Sequence, residues 1–255
     1  MKFQSSTVFE GMTSIRAILA AMEHSVSDRK IETILYDLNK EQKNKKELGY
    51  LRAVSERFGF SLKGVGENVI EDNSLGTSHG GLLALCSDRS IPPLSTASIH
   101  ERGFYCMIEG IEDPYNFGYA LRSLYACGCD GILLPERNWL SAAGVVCRSS
   151  AGASELFPTY TANALDAIDF FHEQGYTVVC ADERTDLVLG ECELSLPILL
   201  LVGGEKRGIS RKLLDKCDTL VRIPYGRDFS ASLSAASATT IFAYEIARQN
   251  NRQRK

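Results

Sequence analysis

Seven apolar residues in a row, Leu-Pro-Ile-Leu-Leu-Leu-Val at 196–202, break off at Gly203-Gly204-Glu205-Lys206-Arg207-Gly208. A short apolar run that stops at glycines reads as a buried parallel strand ending in a tight turn. Such a strand needs helices over both faces of its sheet, which points to an α/β architecture. The residues that follow keep the pattern. Residues 209–216 read as a helix capped by Ser210, 220–224 as another buried strand, and 229–248 as a long helix whose first half is nearly all Ser and Ala. Open α/β sheets bind ligands where strand ends carry glycine turns. A helix start crowded with small residues lets a ligand or a second backbone come close. Turn geometry and helix packing explain each feature taken singly, but their crowding into 196–245 points to a site.

At 255 residues and 28.1 kDa the chain has room for one large or two modest domains. Its 44% apolar and 24% charged residues are those of an ordinary globular protein. No run reaches the roughly 18–20 apolar residues of a membrane helix, and no charged-then-apolar leader opens the chain, so a cytosolic protein is expected. Eight cysteines raise the question of disulfides or metal. Only Cys127 and Cys129 are close, as C-x-C, and no second pair or histidine completes a zinc pattern. Cys86, Cys106 and Cys180 sit in apolar runs, as small hydrophobes of a reducing compartment do. No metal site is expected. The net charge of −4 argues mildly against nucleic acid. Local clusters matter more: Lys40, Lys43, Lys45, Lys46, Arg52 and Arg57 crowd one segment, and Arg248, Arg252, Arg254 and Lys255 lie near the end. Each is either a solvated face or tail, or a contact for an RNA backbone.

Along the chain, Ile15, Ile18, Leu19 and Met22 recur at helical spacing, predicting an amphipathic helix over 12–23. Residues 30–37 read as a strand, and Leu48, Leu51, Val54 and Phe58 mark a helix ended by Gly59. Strands are expected at 61–65 and 81–86. This makes a small α/β unit over 1–88, and the Ser/Pro/Thr-rich stretch 89–103 has linker composition. From 104 to 255 strands and helices alternate with short connections. Apolar strands are expected at 104–108 and 132–134. Between them Asp113 and Pro114 look like the cap and first residue of a helix. Asn116 and Gly118 fall in its first turn, and Arg122 lies under two turns further on, able to face the same cleft. A helix start beside a strand end presents unpaired N–H groups to anions.

Three blocks in this order carry a resemblance. The first is Asp113-Pro-x-Asn116-x-Gly118…Arg122, and the second Leu201-Val-Gly203-x-Glu205-x-x-Gly208-Ile-Ser. The third is Ile223-Pro224…Ser232-Leu233-Ser234…Ala238…Tyr244-Glu245. Together they resemble the SpoU-type (SPOUT superfamily, TrmH-like) RNA ribose methyltransferases, and Ser150-Ala-Gly152-Ala is a weaker match between the first and second. Gly11…Ile15 and His79-Gly80-Gly81 resemble the family's ribosomal-protein-like recognition domain. The resemblance implies an RNA substrate-recognition domain over 1–88 and a methyltransferase domain over 104–255. The latter is implied to be a parallel α/β sheet with a deep trefoil knot that holds S-adenosyl-L-methionine, completed by a second protomer in a homodimer. It further implies cofactor contacts from Gly203, Gly204, Gly208, Ile223, Pro224, Ser232 and Leu233, and catalytic roles for Asn116, Arg122, Glu205, Ser232 and Ser234. The reaction implied is in-line attack of a ribose 2′-hydroxyl of rRNA or tRNA on the sulfonium methyl. Because a guanidinium is effectively always protonated, Arg122 is expected to fix phosphate and hydroxyl by paired hydrogen bonds rather than to act as a base.

One departure stands out. Most relatives read Ser-Leu-Asn where this chain has Ser232-Leu233-Ser234, and the approach from Ile223-Pro224 to Ser232 is one residue longer than usual. A subfamily with another substrate is expected, since Asn116, Arg122 and Glu205 all stand. A P-loop is excluded because Ile209 occupies the lysine position after Gly208, and a nicotinamide-binding fold because no G-x-G-x-x-G follows an early strand. His24, His79, His100 and His172 lie outside the blocks, which leaves hydrolase chemistry without a base; His79 reads as a turn residue or an RNA contact. The rival reading is a non-catalytic RNA-binding or assembly factor that keeps the methyltransferase fold.

Overall fold

The computed structural model describes residues 6–135, 139–204 and 208–250. Its strands and helices are, in chain order, β1 (Val8–Glu10), α1 (Gly11–Glu23), β2 (Ile31–Asp37), α2 (Lys45–Phe58), β3 (Ser61–Val65), α3 (Glu67–Asn73), β4 (Leu82–Cys86), β5 (Phe104–Glu109), α4 (Pro114–Ala126) and β6 (Gly131–Leu134). They continue with α5 (Ala143–Ser149), α6 (Ala153–Leu156), β7 (Thr159–Thr161), α7 (Ala164–Glu173), β8 (Thr177–Ala181), β9 (Ile198–Gly203), α8 (Arg211–Leu214), β10 (Thr219–Val221) and α9 (Ala235–Gln249). Two compact units emerge, Met1–Ser90 with Asn138–Leu156 and Ile91–Arg137 with Phe157–Lys255.

The first unit is a four-stranded sheet in the order β1-β4-β2-β3, antiparallel except for the β2/β3 pair. The apolar stripe of α1 (Ile15, Ile18, Leu19) and Leu48 and Leu51 of α2 pack against Phe9, Ile34, Leu82 and Ala84 of the sheet. Those are the positions the 3.6-residue period singles out. Cys147 of α5 joins the same core, so the 138–156 segment belongs to this unit by packing. Arg29 and Glu155 form a buried ion pair at 3.0 Å, with the guanidinium also over the Phe9 ring. Gly152, from the weaker motif match, lies against α1, where an added Cβ would come within 2.4 Å of the Ala17 Cβ. Its small size thus serves helix packing.

The second unit holds a six-stranded, wholly parallel sheet in the order β10-β8-β9-β5-β6-β7. One face packs on α7 and α8 through Tyr105, Met107, Leu199, Leu201, Ile168 and Phe171. The alternate residues Cys106, Ile108, Leu200 and Val202 are equally buried. Burial on both faces is why β9 reads as an unbroken apolar run and not as an alternation. On the stretch 89–103, Arg89 Nη1 donates to the Ser154 carbonyl, Leu94 is buried in the second unit's core, and Thr161 N–H bonds the Pro92 carbonyl. A composition typical of linkers is here packed chain.

Two helices are shorter than their sequence pattern. The helix expected from 229 begins at Ala235, because Ser234 is extended (φ −60°, ψ 150°) and its Oγ accepts the Ser237 N–H. That is an N-cap geometry, and it leaves 225–233 as a loop. The helix expected over 209–216 is the single turn of α8; Ser210 holds its cap position without a side-chain capping bond. Asp113 and Pro114 cap and open α4 as the sequence implies.

Candidate functional site

The carboxyl end of the second unit's sheet is where the second and third motif blocks converge. In β5 and β9, Glu109 pairs with Gly203, the last residue of its strand. Immediately beyond, Gly204 and Gly208 form an antiparallel bridge, with the Gly208 N–H donating to the Gly204 carbonyl at 3.1 Å. The turn is seated directly on β5: a Cβ on Gly204 would stand 2.3 Å from the Gly110 carbonyl oxygen. Only glycine permits that approach. Glu109 Oε2, at the end of β5, is buried without a hydrogen-bond partner among the described residues.

Around this turn lies a cavity of about 710 Å³, lined by Gly203, Gly204, Gly208, Ile223, Ser232 and Leu233. The structure thus brings together six of the seven residues expected to touch a cofactor. The seventh, Pro224, lines a separate cavity of about 630 Å³ with Ile223, Ser123, Thr240, Ile241 and Tyr244. Ser232 Oγ donates to Glu183 at 3.3 Å, tying the loop before α9 to the loop after β8.

The expected catalytic residues are not all gathered there. Asn116 is half-buried in the first turn of α4 and Arg122 is exposed further along it; neither lines either cavity. Glu205 lies outside the described residues. Ser234 is occupied as the cap of α9, a task an asparagine performs equally well, so the Ser-for-Asn departure keeps the helix start intact.

Other residues at this site give no motif signal in the sequence. Asp182, Glu183 and Arg184, from the loop after β8, line the larger cavity. The hydrogen bonds from Arg184 hold the Asp182 carboxyl below its usual range against the opposing effect of burial. Tyr225 and Phe229 line it as well, and the Tyr225 hydroxyl accepts the Leu233 N–H at 3.1 Å. A strand continuing into three charged residues would have suggested the first group. The aromatics have no signal other than the longer loop that carries them.

The histidines and the basic clusters resolve in part. His79 is buried, its Nδ1 accepting the Gly81 N–H at 3.1 Å, which is the turn arrangement. In the Lys40–Arg57 cluster, Lys40 pairs with Asp37 and Glu67, Arg52 with Glu41, and Arg57 with Glu23; Lys43, Lys45 and Lys46 are exposed. No group of three metal-capable side chains occurs among the described residues, and no described helix is long and apolar enough to cross a membrane.

Comparison with known proteins gives the family and the fold. The 23S rRNA (guanosine-2′-O-)-methyltransferase RlmB of Shewanella oneidensis is 28% identical over 242 residues, covering 92% of this chain and 95% of that protein. Among solved structures, the AdoMet-bound rRNA methyltransferase of Sinorhizobium meliloti superposes with a TM-score of 0.78 at 23% identity, over 95% of this chain and 87% of that one. The SpoU methyltransferase AviRb of Streptomyces viridochromogenes, in complex with AdoMet, superposes at 0.77 and 23% identity, over 97% and 91%. The sequence profile of the SpoU rRNA Methylase family matches residues 103–244, from the start of β5 to well into α9, and the chain belongs to that family.

Proposed function

We propose that this chain transfers the methyl group of S-adenosyl-L-methionine to a ribose 2′-hydroxyl of structured RNA, with ribosomal RNA the first substrate to test. The observation that carries the reading is the cavity. Gly203, Gly204 and Gly208 come from one motif block and Ile223, Ser232 and Leu233 from another, yet they line one space at the carboxyl ends of parallel strands. About 710 Å³ suits a nucleoside-sized ligand. The residues fit the cofactor in kind: a turn with no room for a Cβ leaves its backbone open, Ile223 and Leu233 are apolar, and Glu183 offers a carboxylate.

When bound, S-adenosyl-L-methionine supplies a methyl group already activated on a sulfonium. The chain's own part is to position the hydroxyl, whose proton passes by way of the RNA phosphate held by Arg122 to solvent. Arg122, permanently cationic, grips the phosphate and hydroxyl as a paired donor, with Asn116 and Glu205 orienting it and the ribose. Since Asn116 and Arg122 line neither cavity, a second copy of the chain supplies them. Tyr115 and Tyr119 on α4 and Ile241 and Tyr244 on α9 are exposed, and the two helices are joined by the Thr240–Ser123 hydrogen bond at 2.7 Å. Together they form the apolar face of a homodimer. The deep trefoil knot implied by the family resemblance accounts for Gly204, Gly208 and the 225–233 loop bordering one cavity. Residues 1–88, with which 139–156 pack, recognise RNA, the rest of 104–255 carries the transfer, and the protein works in the cytoplasm.

The test is transfer of label from S-adenosyl-L-methionine to unmodified 23S rRNA and tRNA transcripts, digested to nucleosides. A labelled 2′-O-methylnucleoside is expected. Arg122→Ala should abolish it while leaving cofactor affinity nearly intact. Label on a base, or RNA binding without transfer by the folded dimer, would overturn the assignment. Sedimentation of the wild type and of Tyr244→Asp tests the dimer face; a wild-type monomer would refute the shared site.

A further inference from the structure

We infer that Phe229, held beside Tyr225, is a stacking platform for the base of the nucleotide that receives the methyl group; the inference rests on the function proposed above. Both rings line the cavity and yet face water: Phe229 is 59% exposed and Tyr225 41%. Residues with both properties sit on its rim. Their ring centroids are 6.1 Å apart with planes inclined at 55°. The Tyr225 hydroxyl is tied to the Leu233 N–H, so this ring is fixed against the inner part of the same loop.

The stereochemistry of the substrate selects the occupant. A ribose 2′-oxygen is three covalent bonds from the nitrogen that carries the base. Once the hydroxyl enters the cavity, its base has to lie at the rim. What the rim offers suits an uncharged, flat ring. Arg227 and Asp228 carry opposite charges between the two aromatics, Arg184 engages Asp182, and the remaining charged lining residues, Glu183 and Arg222, are one of each sign. Val202 and Ile209 are buried and, with Ile223 and Leu233, give the cavity an apolar lining on which the cofactor's adenine can lie, which leaves Phe229 for another partner. A ring more than half exposed is met by a group arriving from solvent. Proteins that read RNA splay bases out of the stack and lay them on aromatic side chains, which replaces the stacking that was lost.

The experiment measures methyl transfer to a short hairpin spanning the mapped nucleotide, with Phe229→Ala, Phe229→Leu and Phe229→Trp beside the wild type. Alanine and leucine should each raise the KM for RNA about tenfold, and tryptophan should restore it to within about twofold. Calorimetric affinity for S-adenosyl-L-methionine should stay within about twofold in all three. 2-Aminopurine at the target position should be quenched by the wild type and by Phe229→Trp, and be brighter with Phe229→Leu. A wild-type KM for Phe229→Leu would overturn the platform, because leucine keeps apolar bulk without a flat face. A parallel loss of cofactor affinity would move the ring to the adenine and overturn it equally. If the wild type modifies no RNA, the proposed function falls and takes the platform with it, whereas a wild type that methylates while Phe229→Leu is indistinguishable from it fails the platform alone.

Discussion

Replacing Gly204 by alanine tests the packing that forms the cavity. The new Cβ would stand 2.3 Å from the Gly110 carbonyl oxygen, 2.5 Å from its carbon and 2.9 Å from the Glu109 carbonyl oxygen, where ordinary contacts begin at 3.4 Å. All three atoms are backbone, so no side chain can rotate aside. The turn must withdraw from β5 by about 1 Å, against the pairing of Glu109 with Gly203. Overpacking of this kind costs roughly 1–3 kcal/mol, and rigid backbone on both sides places Gly204→Ala near the upper figure. For a unit of this size that is a fall in Tm of about 6–12 °C, with loss of cofactor affinity because the same turn lines the cavity. Gly226→Ala is the matched control in the nearby loop: its Cβ would meet nothing within 4 Å and its φ is not left-handed, so the change should stay within about 0.5 kcal/mol. Calorimetry of both variants, with titration of S-adenosyl-L-methionine, decides the matter. A Gly204→Ala protein as stable and as cofactor-competent as Gly226→Ala would show that β5 and the turn are not in backbone contact, and the argument for the cavity would fail.

Removing the α9 cap with Ser234→Ala should cost about 1 kcal/mol, while Ser234→Asn should stay close to wild type in thermal unfolding; equal losses would mean that the hydroxyl does something other than capping. Arg29→Met leaves Glu155 buried without its partner and should destabilise by about 3–5 kcal/mol, with much of the loss recovered in the Arg29→Met/Glu155→Leu double variant. Denaturant melts of the three proteins test this, and additive losses would deny the coupling. Among the thiols, Cys217 should react first with iodoacetamide at pH 8, because its hydrogen bond with Cys180 lowers its pKa. Cys127 and Cys192, raised by burial, should follow, and Cys147, pushed up to about 12 by burial, should wait for unfolding. Peptide mass spectrometry reads the order, and early labelling of Cys147 would show that α5 is not part of the first unit's core.

By itself the sequence determined the elements whose residues carry their own instructions. The buried run at 198–203, the helical stripe of α1, the Asp113-Pro114 start of α4 and the Gly59 stop of α2 follow from hydrophobic periodicity, capping and backbone conformation, all local properties. The motif blocks likewise named six residues that line one cavity, because a turn packed on backbone tolerates nothing larger than glycine at its contact point. Tertiary structure alone decided what depends on distant partners. The three-residue β7 is too short to show a period, and it exists because β6 pairs with it. Residues 143–156 contain small and apolar residues that would suit either unit, and the buried Arg29–Glu155 pair and the Ala17 contact assign them to the first. The Ser/Ala-rich stretch before Ala235 has the composition of a helix, but it stays a loop because Ser234 satisfies the free N–H of the helix start and Tyr225 holds Leu233. Asn116 and Arg122, though spaced to face one cleft, line neither cavity, while Ser123 and Ala126 further along the same helix border the smaller one. Spacing along a helix fixes which residues share a face, while packing determines what that face meets.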